Sequence, residues 1–225
     1  MKIIAVLFPG MTALDLVGPM QVLGFLPGAD IQTVWKHEGP VRSDNGLQLV
    51  ASHSFATAFA DPDILIIGGA AGPTLDIMKD DDAIAFLADR GAKAKWLVSV
   101  CTGSLILSAA GLLKGYRASS YWAVRDQLAA FGAVPCDERV VIDRNRMTGG
   151  GVTAGIDVGL SLAGTLFGDE FGRLVELFLE CAPKPPYGTG RPELAGPELT
   201  AQAEGALSAQ LSVEDIRAVA RSRSF

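Results

Sequence analysis

Trp96-Leu97-Val98-Ser99-Val100-Cys101-Thr102-Gly103-Ser104 decides how this chain is read. A mostly apolar, β-type run passes without a break into a small-residue turn, and Gly103 to Leu113 continue with helical spacing. A buried parallel strand that turns sharply into a helix lifts the side chain at the turn above the sheet, the arrangement called a nucleophile elbow. Cys101 holds that position. Unpaired backbone N–H groups and the positive end of the helix dipole are expected to favour its thiolate over its thiol. The competing account is an inert buried cysteine, a common fate of the residue, but such a cysteine has no need of the Thr-Gly-Ser turn behind it.

Outward from the elbow, apolar runs alternate with helical patterns. Strands are expected at Ile3–Phe8, Ile31–Trp35, Ile64–Ile67, Trp96–Val100 and Arg117–Ser120. Helices are expected at Leu14–Phe25, Asp80–Lys93, Gly103–Leu113, Trp122–Phe131, Ala154–Phe167 and Asp169–Cys181. That order predicts a single-domain α/β fold, flavodoxin-like and doubly wound, with a mostly parallel sheet covered on both faces. Two inserted hairpins are expected, one at Asn45-Gly46 and one over Arg139–Met147 with Arg144-Asn145 at its turn. Residues 1–182 form the α/β domain in this reading. Past Cys181 prolines and glycines accumulate, so 183–225 reads as an extended arm followed by a helical tail from Thr200, packed on the same domain or on a dimer partner.

With 225 residues, 49% hydrophobic and 20% charged, the chain has the composition of one soluble globular domain. A net charge of -6 with no basic cluster argues against a nucleic-acid surface. Apolar stretches are broken before they reach membrane-spanning length. Met1 to Gly10 reads as a first strand rather than a signal peptide, and a cytoplasmic location is the expectation. Cys101, Cys136 and Cys181 are odd in number, widely spaced and without neighbouring His ligands, so neither a disulfide framework nor a metal site is indicated.

Asp15 is the only ionisable side chain between Lys2 and Asp30. A carboxylate in such an apolar setting costs several kcal/mol unless something pairs with it. Asp15 either caps the helix leading to Phe25 or uses the topology of a doubly wound sheet, whose loops converge at the carboxyl ends of adjacent strands. In the second case it meets Cys101 and takes or gives protons there. Gly68-Gly69, directly after Ile64–Ile67, and Gly149-Gly150-Gly151, before a helix, are either plain turns or places where backbone N–H groups approach a ligand. Neither is a phosphate loop, since no Gly-Lys-Ser/Thr follows. The two histidines, His37 and His53, precede the elbow in a charged turn and a polar segment. Acid–base work therefore falls to Asp15.

Asp15-Leu16-Val17-Gly18-Pro19, Ser99-Val100-Cys101-Thr102-Gly103-Ser104, Ala109 to Gly115, Ser120-Tyr121-Trp122, Thr148 to Asp157 and Glu180 to Tyr187 together resemble the ThiJ/PfpI superfamily of glutamine-amidotransferase-like proteins. Many relatives carry Glu after the first strand, and the Asp form resembles the branch that hydrates isonitriles (isocyanides). The resemblance implies Cys101 as nucleophile and Asp15 as the essential carboxyl, with Gly69, Thr102, Val152, Gly151 and Tyr121 around the substrate. It also implies a homodimer, a small-molecule isocyanide substrate, no metal or organic cofactor, and an N-substituted formamide formed through a covalent Cys thioimidate. Tyr121 stands where relatives commonly have His before Trp122, which weakens protease, glyoxalase and deglycase readings. A glyoxalase- or deglycase-type enzyme is the enzymatic alternative. A redox sensor using the same cysteine, or a ligand-sensing module related to AraC-type regulators, are the non-catalytic ones; such regulators carry a basic helix-turn-helix unlike anything in this chain.

Overall fold

The computed structural model describes residues 1–223, so the last two positions of the 183–225 segment lie outside it. In chain order the strands are β1 (Lys2–Val6), β2 (Asp30–Trp35), β3 (Gly39–Arg42), β4 (Gln48–Ala51), β5 (His53–Ser54), β6 (Ile64–Ile67), β7 (Trp96–Val100), β8 (Arg117–Ala118), β9 (Val134–Pro135), β10 (Val140–Asp143) and β11 (Arg146–Gly149). The helices are α1 (Ala13–Leu23), α2 (Pro73–Lys79), α3 (Asp81–Lys93), α4 (Gly103–Ala109), α5 (Ala154–Phe167), α6 (Asp169–Phe178), α7 (Pro192–Ala195), α8 (Pro197–Ser208) and α9 (Val213–Ser222).

β6 reads Ile-Leu-Ile-Ile and every residue of it is buried, as a central strand covered on both faces requires. The main sheet runs β10-β11-β7-β6-β1-β2-β5, with parallel pairing throughout except between β10 and β11. Strand order reverses at β1, with β2 on one side and β6 on the other. At such a switch point the loops leaving the carboxyl ends of the strands diverge and open a crevice. The connections after β1, β6 and β7 all lead to this place.

Several elements depart from the sequence reading. Arg117–Ser120 supplies only the two-residue β8, which pairs with β9 outside the main sheet. The helix expected over Trp122–Phe131 is a 3₁₀ helix at Arg125–Phe131, ended by Gly132 in the left-handed region. α4 stops at Ala109 and α6 at Phe178, short of Leu113 and Cys181. α2 was hidden because Gly-Ala-Ala-Gly-Pro looks like loop, yet a proline suits the first turn, where its missing N–H costs nothing. The Arg139–Met147 hairpin is no insertion: β10 and β11 form the edge of the main sheet and turn at Arg144, whose φ is +54°. In the tail, α8 begins at Pro197 rather than Thr200. α9 returns to the body with Ile216 and Val219 buried, and Arg223 donates to the Met78 carbonyl. Among the described residues no helix is long and apolar enough to cross a membrane.

Candidate active site

Asp15 sits in the first turn of α1, just beyond the end of β1, and is fully buried. It does not cap the helix. Thr12 occupies the cap position, while Oδ2 of Asp15 accepts the Gly69 N–H at 2.8 Å. The capping account is therefore overturned, because the helix turns Asp15 inward onto the end of β6. Oδ1 is buried without a hydrogen-bond partner.

Glycine at the end of β6 makes this approach possible. A Cβ on Gly68 would lie 2.6 Å from the Cβ of Asp15, and one on Gly69 would lie 2.2 Å from Thr102 Oγ1 and 2.6 Å from the Thr102 nitrogen. Any side chain at either position would push β6 away from α1 or from the elbow.

Cys101 ends β7 with φ at +60°, in the left-handed region that a non-glycine residue enters at a cost of about 1–3 kcal/mol. Its surroundings hold it there. The Cys101 N–H meets the carbonyls of Gly149 and Gly150 at 3.2 and 2.7 Å. Its carbonyl accepts from Ser104 Oγ at 3.2 Å and Ser120 Oγ at 3.1 Å. Thr102 Oγ1 accepts from the Ala70 N–H and donates to the Ala70 carbonyl, which ties the elbow to the end of β6. Cys101 as a whole residue is only 6% exposed.

Burial decides the electrostatics. Desolvation raises the Asp15 carboxyl to about 6, against the opposing Gly69 N–H and Cys101 thiol, and the charge of Asp44 adds a smaller push upward. Desolvation also pushes the Cys101 thiol well above its ordinary range, and the negative charge of Asp15 reinforces it, with Thr102 opposing. The expected stabilisation of a thiolate is thus overturned: the site is dry, and the charge next to the sulfur is an anion. The two groups act on each other, the thiol drawing the Asp15 carboxyl down and the carboxylate pushing the thiol up, but burial is the larger cause in each. At neutral pH the resting pair is an S–H beside an ionised Asp15, two groups that share their protons and titrate together.

The residues singled out in the sequence fall into two groups. Gly69 and Thr102 stand at Cys101, where the Gly69 N–H is taken by Asp15 rather than offered to a ligand. Tyr121, Gly151 and Val152 line a cavity of about 410 Å³. Tyr121 joins the groups: it is half-buried, its phenol is raised chiefly by burial, and the sulfur of Cys101 also acts on it. The ring lies 3.3 Å from where a Cβ of Gly151 would be. His53 is on β5 at the far edge of the sheet, four strands from β7, with Nδ1 3.0 Å from Ser52 Oγ. Sequence reasoning gave no role to Ser120, Thr74 or Asp44. Thr74 Oγ1 lies 2.8 Å from Thr102 Oγ1, and Asp44 accepts from Thr12 Oγ1 at 2.8 Å. Ser120 stands next to Tyr121 in the Ser120-Tyr121-Trp122 motif; Thr74 and Asp44 carry no local signal. Among the described residues no group of three or more His, Cys, Asp or Glu side chains is placed to hold a metal.

A doubly wound sheet with a strained elbow cysteine and a buried carboxyl at its switch point defines the class, and the chain belongs to the DJ-1/PfpI family, whose sequence profile matches residues 1–164. It is 46% identical over 190 residues to the isonitrile hydratase of Pseudomonas putida, covering 84% of this chain and 82% of that protein. The crystal structure of a ThiJ/PfpI family protein from Pseudomonas syringae superposes with a TM-score of 0.92 at 45% identity, covering 97% of this chain and 90% of that one. A deglycase from Thermococcus kodakarensis is 26% identical over 146 residues, 64% of this chain and 87% of that protein.

Proposed function

We propose that this chain is an isonitrile hydratase that adds water to an isocyanide to give an N-substituted formamide, with Cys101 as nucleophile and Asp15 as proton carrier. The observation that carries the reading is the pairing of a buried elbow thiol with a buried carboxyl that keeps one oxygen unpartnered. The likeness to the Pseudomonas putida enzyme supports it.

The chemistry follows from the pair. The terminal carbon of an isocyanide is electrophilic and has no leaving group. As the Cys101 sulfur forms its bond to that carbon, Asp15 accepts the thiol proton and delivers it to the same carbon, giving a thioimidate R–N=CH–S–Cys. Water then adds to the imidate carbon, with Asp15 accepting one of its protons while the nitrogen gains another. Collapse of the tetrahedral adduct breaks the C–S bond, returns the proton to sulfur and releases R–NH–CHO. A carboxyl near 6 suits both directions of transfer at neutral pH. No metal or organic cofactor enters the cycle.

A second copy of the chain and a cytoplasmic setting belong to the same proposal. The apolar face formed by Phe25 of the α1 end and Leu177 and Phe178 of α6, the last two 76% and 65% exposed, supports the homodimer. Three free cysteines suit a reducing compartment. The test of the activity is direct: purified protein incubated with a simple isocyanide produces the formamide, and methylglyoxal in parallel is left unchanged. Methylglyoxal turnover with no formamide would replace the hydratase by the glyoxalase- or deglycase-type alternative.

A further inference from the structure

The cavity of about 410 Å³ beside Tyr121 is walled on one side by the body and on the other by the C-terminal arm. From the body come Tyr121, Trp122 and Val152; from the arm come Pro192, Leu199 and Ala203. Leu199 and Ala203 are one turn apart on α8 and so share its inward face. The arm lies beyond residue 164, where the match to the family profile ends. The core that carries Asp15 and Cys101 lies within that match, and α7 and α8 lie outside it.

Cys101 does not itself line the cavity, but its backbone is bonded to the neighbours of two lining residues. Gly150, next to the lining residue Gly151, accepts the Cys101 N–H. Ser120, next to Tyr121, donates to the Cys101 carbonyl. The lining combines aromatic and aliphatic side chains with the uncharged hydroxyls of Thr153, Thr189 and Thr200, and its two cations are paired. Arg139 binds Asp157 at 2.6 Å, and Arg191 is shared between Asp137 and Glu193 at 3.4 Å each. The rings of Tyr121 and Trp122, with centroids 5.6 Å apart and tilted by 42°, offer a face and an edge to a flat guest. A chamber of this size and polarity takes an uncharged, ring-sized organic group.

We propose that the arm and α8 form the outer wall of the pocket for the isocyanide's substituent, and that they select for an uncharged aryl or similarly bulky group. This inference rests on the hydratase reading for its substrate, but the pocket is testable without turnover. Leu199 is 45% exposed, so Leu199→Trp fills the chamber from a position that tolerates change. Ala203→Phe, one turn along α8, is a second variant that fills it independently.

Two measurements decide the matter. In the first, N-benzylformamide is titrated by calorimetry into Cys101→Ala and into Cys101→Ala carrying Leu199→Trp or Ala203→Phe. The pocket requires binding to the single variant and at least tenfold weaker binding to the doubles; no binding to the single variant, or equal binding to all three, overturns it. In the second, kcat/KM is measured for benzyl and methyl isocyanide in the wild type and both filling variants, each folded by its melting curve. The benzyl-to-methyl ratio is expected to fall at least tenfold, and an unchanged ratio in a protein that hydrates isocyanides overturns the proposal. A wild type that hydrates neither isocyanide sinks the hydratase reading instead, and the binding result alone then judges the pocket.

Discussion

The crevice at the ends of β1, β6 and β7 and the arm that follows α6 are built by opposite rules. In the crevice Asp15, Thr102 and Cys101 are buried, and hydrogen bonds from three separate segments hold a residue in a backbone conformation it would not otherwise keep. In the arm, α7 and α8 have no buried residue, and a Cβ on Gly190 or Gly205 would meet nothing within 4 Å. Bond-forming chemistry needs atoms placed within fractions of an ångström, which only close packing secures. A wall that sorts substituents by size needs far less precision and tolerates change.

Cys101→Ala tests the crevice side most severely. Turnover should fall by roughly 10³-fold or more, because no other group at the site can form the covalent bond. The fold should persist, since one small buried group is lost from a rigid strand end; formamide production by mass spectrometry and a melting curve check both. Substantial remaining turnover would exclude the covalent route.

Asp15→Asn should lower the rate by roughly 10²–10⁴-fold, as an amide of the same shape cannot carry protons. Its effect on stability has the opposite sign. Because the folded-state value of about 6 lies above 3.8, the folded protein holds its proton more tightly than the unfolded chain, and stability falls as pH rises through that window. At pH 8 the ionised, buried carboxylate costs on the order of 1–3 kcal/mol, which Asn relieves; at pH 3.5 there is nothing to relieve. Chemical denaturation at the two pH values should show a gain only at the higher one. In the wild type, kcat/KM should drop as pH falls below about 6, where the base becomes protonated.

Glycine-to-alanine substitutions compare the two regions directly. Gly69→Ala drives a methyl group into Thr102 and Gly103, so it should cost about 1–3 kcal/mol and displace the elbow with loss of activity. Gly205→Ala in α8 meets open space and should stabilise by up to about 1 kcal/mol through helix propensity alone. Equal costs at the two positions would erase the distinction between a packed site and a loose wall. The smallest effect is expected for Tyr121→Phe, which keeps the ring against Gly151 and removes only a hydroxyl. Activity should stay within a few-fold, and a loss as severe as that of Asp15→Asn would make the phenol part of the proton path.

Much of this was legible in the chain. The apolar run of β6, the elbow at Cys101 and the lone carboxyl of Asp15 each carry their signal in adjacent residues, because strand burial and helix faces follow from local periodicity. The 3₁₀ turn after Trp122 and α2 were less visible, since a short helix has too few residues for a period to declare itself. Asp44 and Thr74 were silent. Their partners Thr12 and Thr102 are distant in sequence and are reached only through the folded loops.

By itself the sequence determined that a doubly wound sheet would form and that Asp15 and Cys101 would follow the carboxyl ends of two of its strands, because alternating apolar runs and small-residue turns dictate that topology; that β6 alone lies between those strands was decided by the fold. Tertiary structure alone decided the state of the pair and the shape of the chamber beside it. A helix terminus read in isolation argues for a thiolate, yet the sign of a pKa shift depends on how much water all the neighbours together exclude. Here that exclusion, added to the charge of Asp15, keeps the proton on sulfur. Where the arm folds back is equally a matter of distant contacts, and no local pattern in a run of prolines and glycines says which surface it will cover.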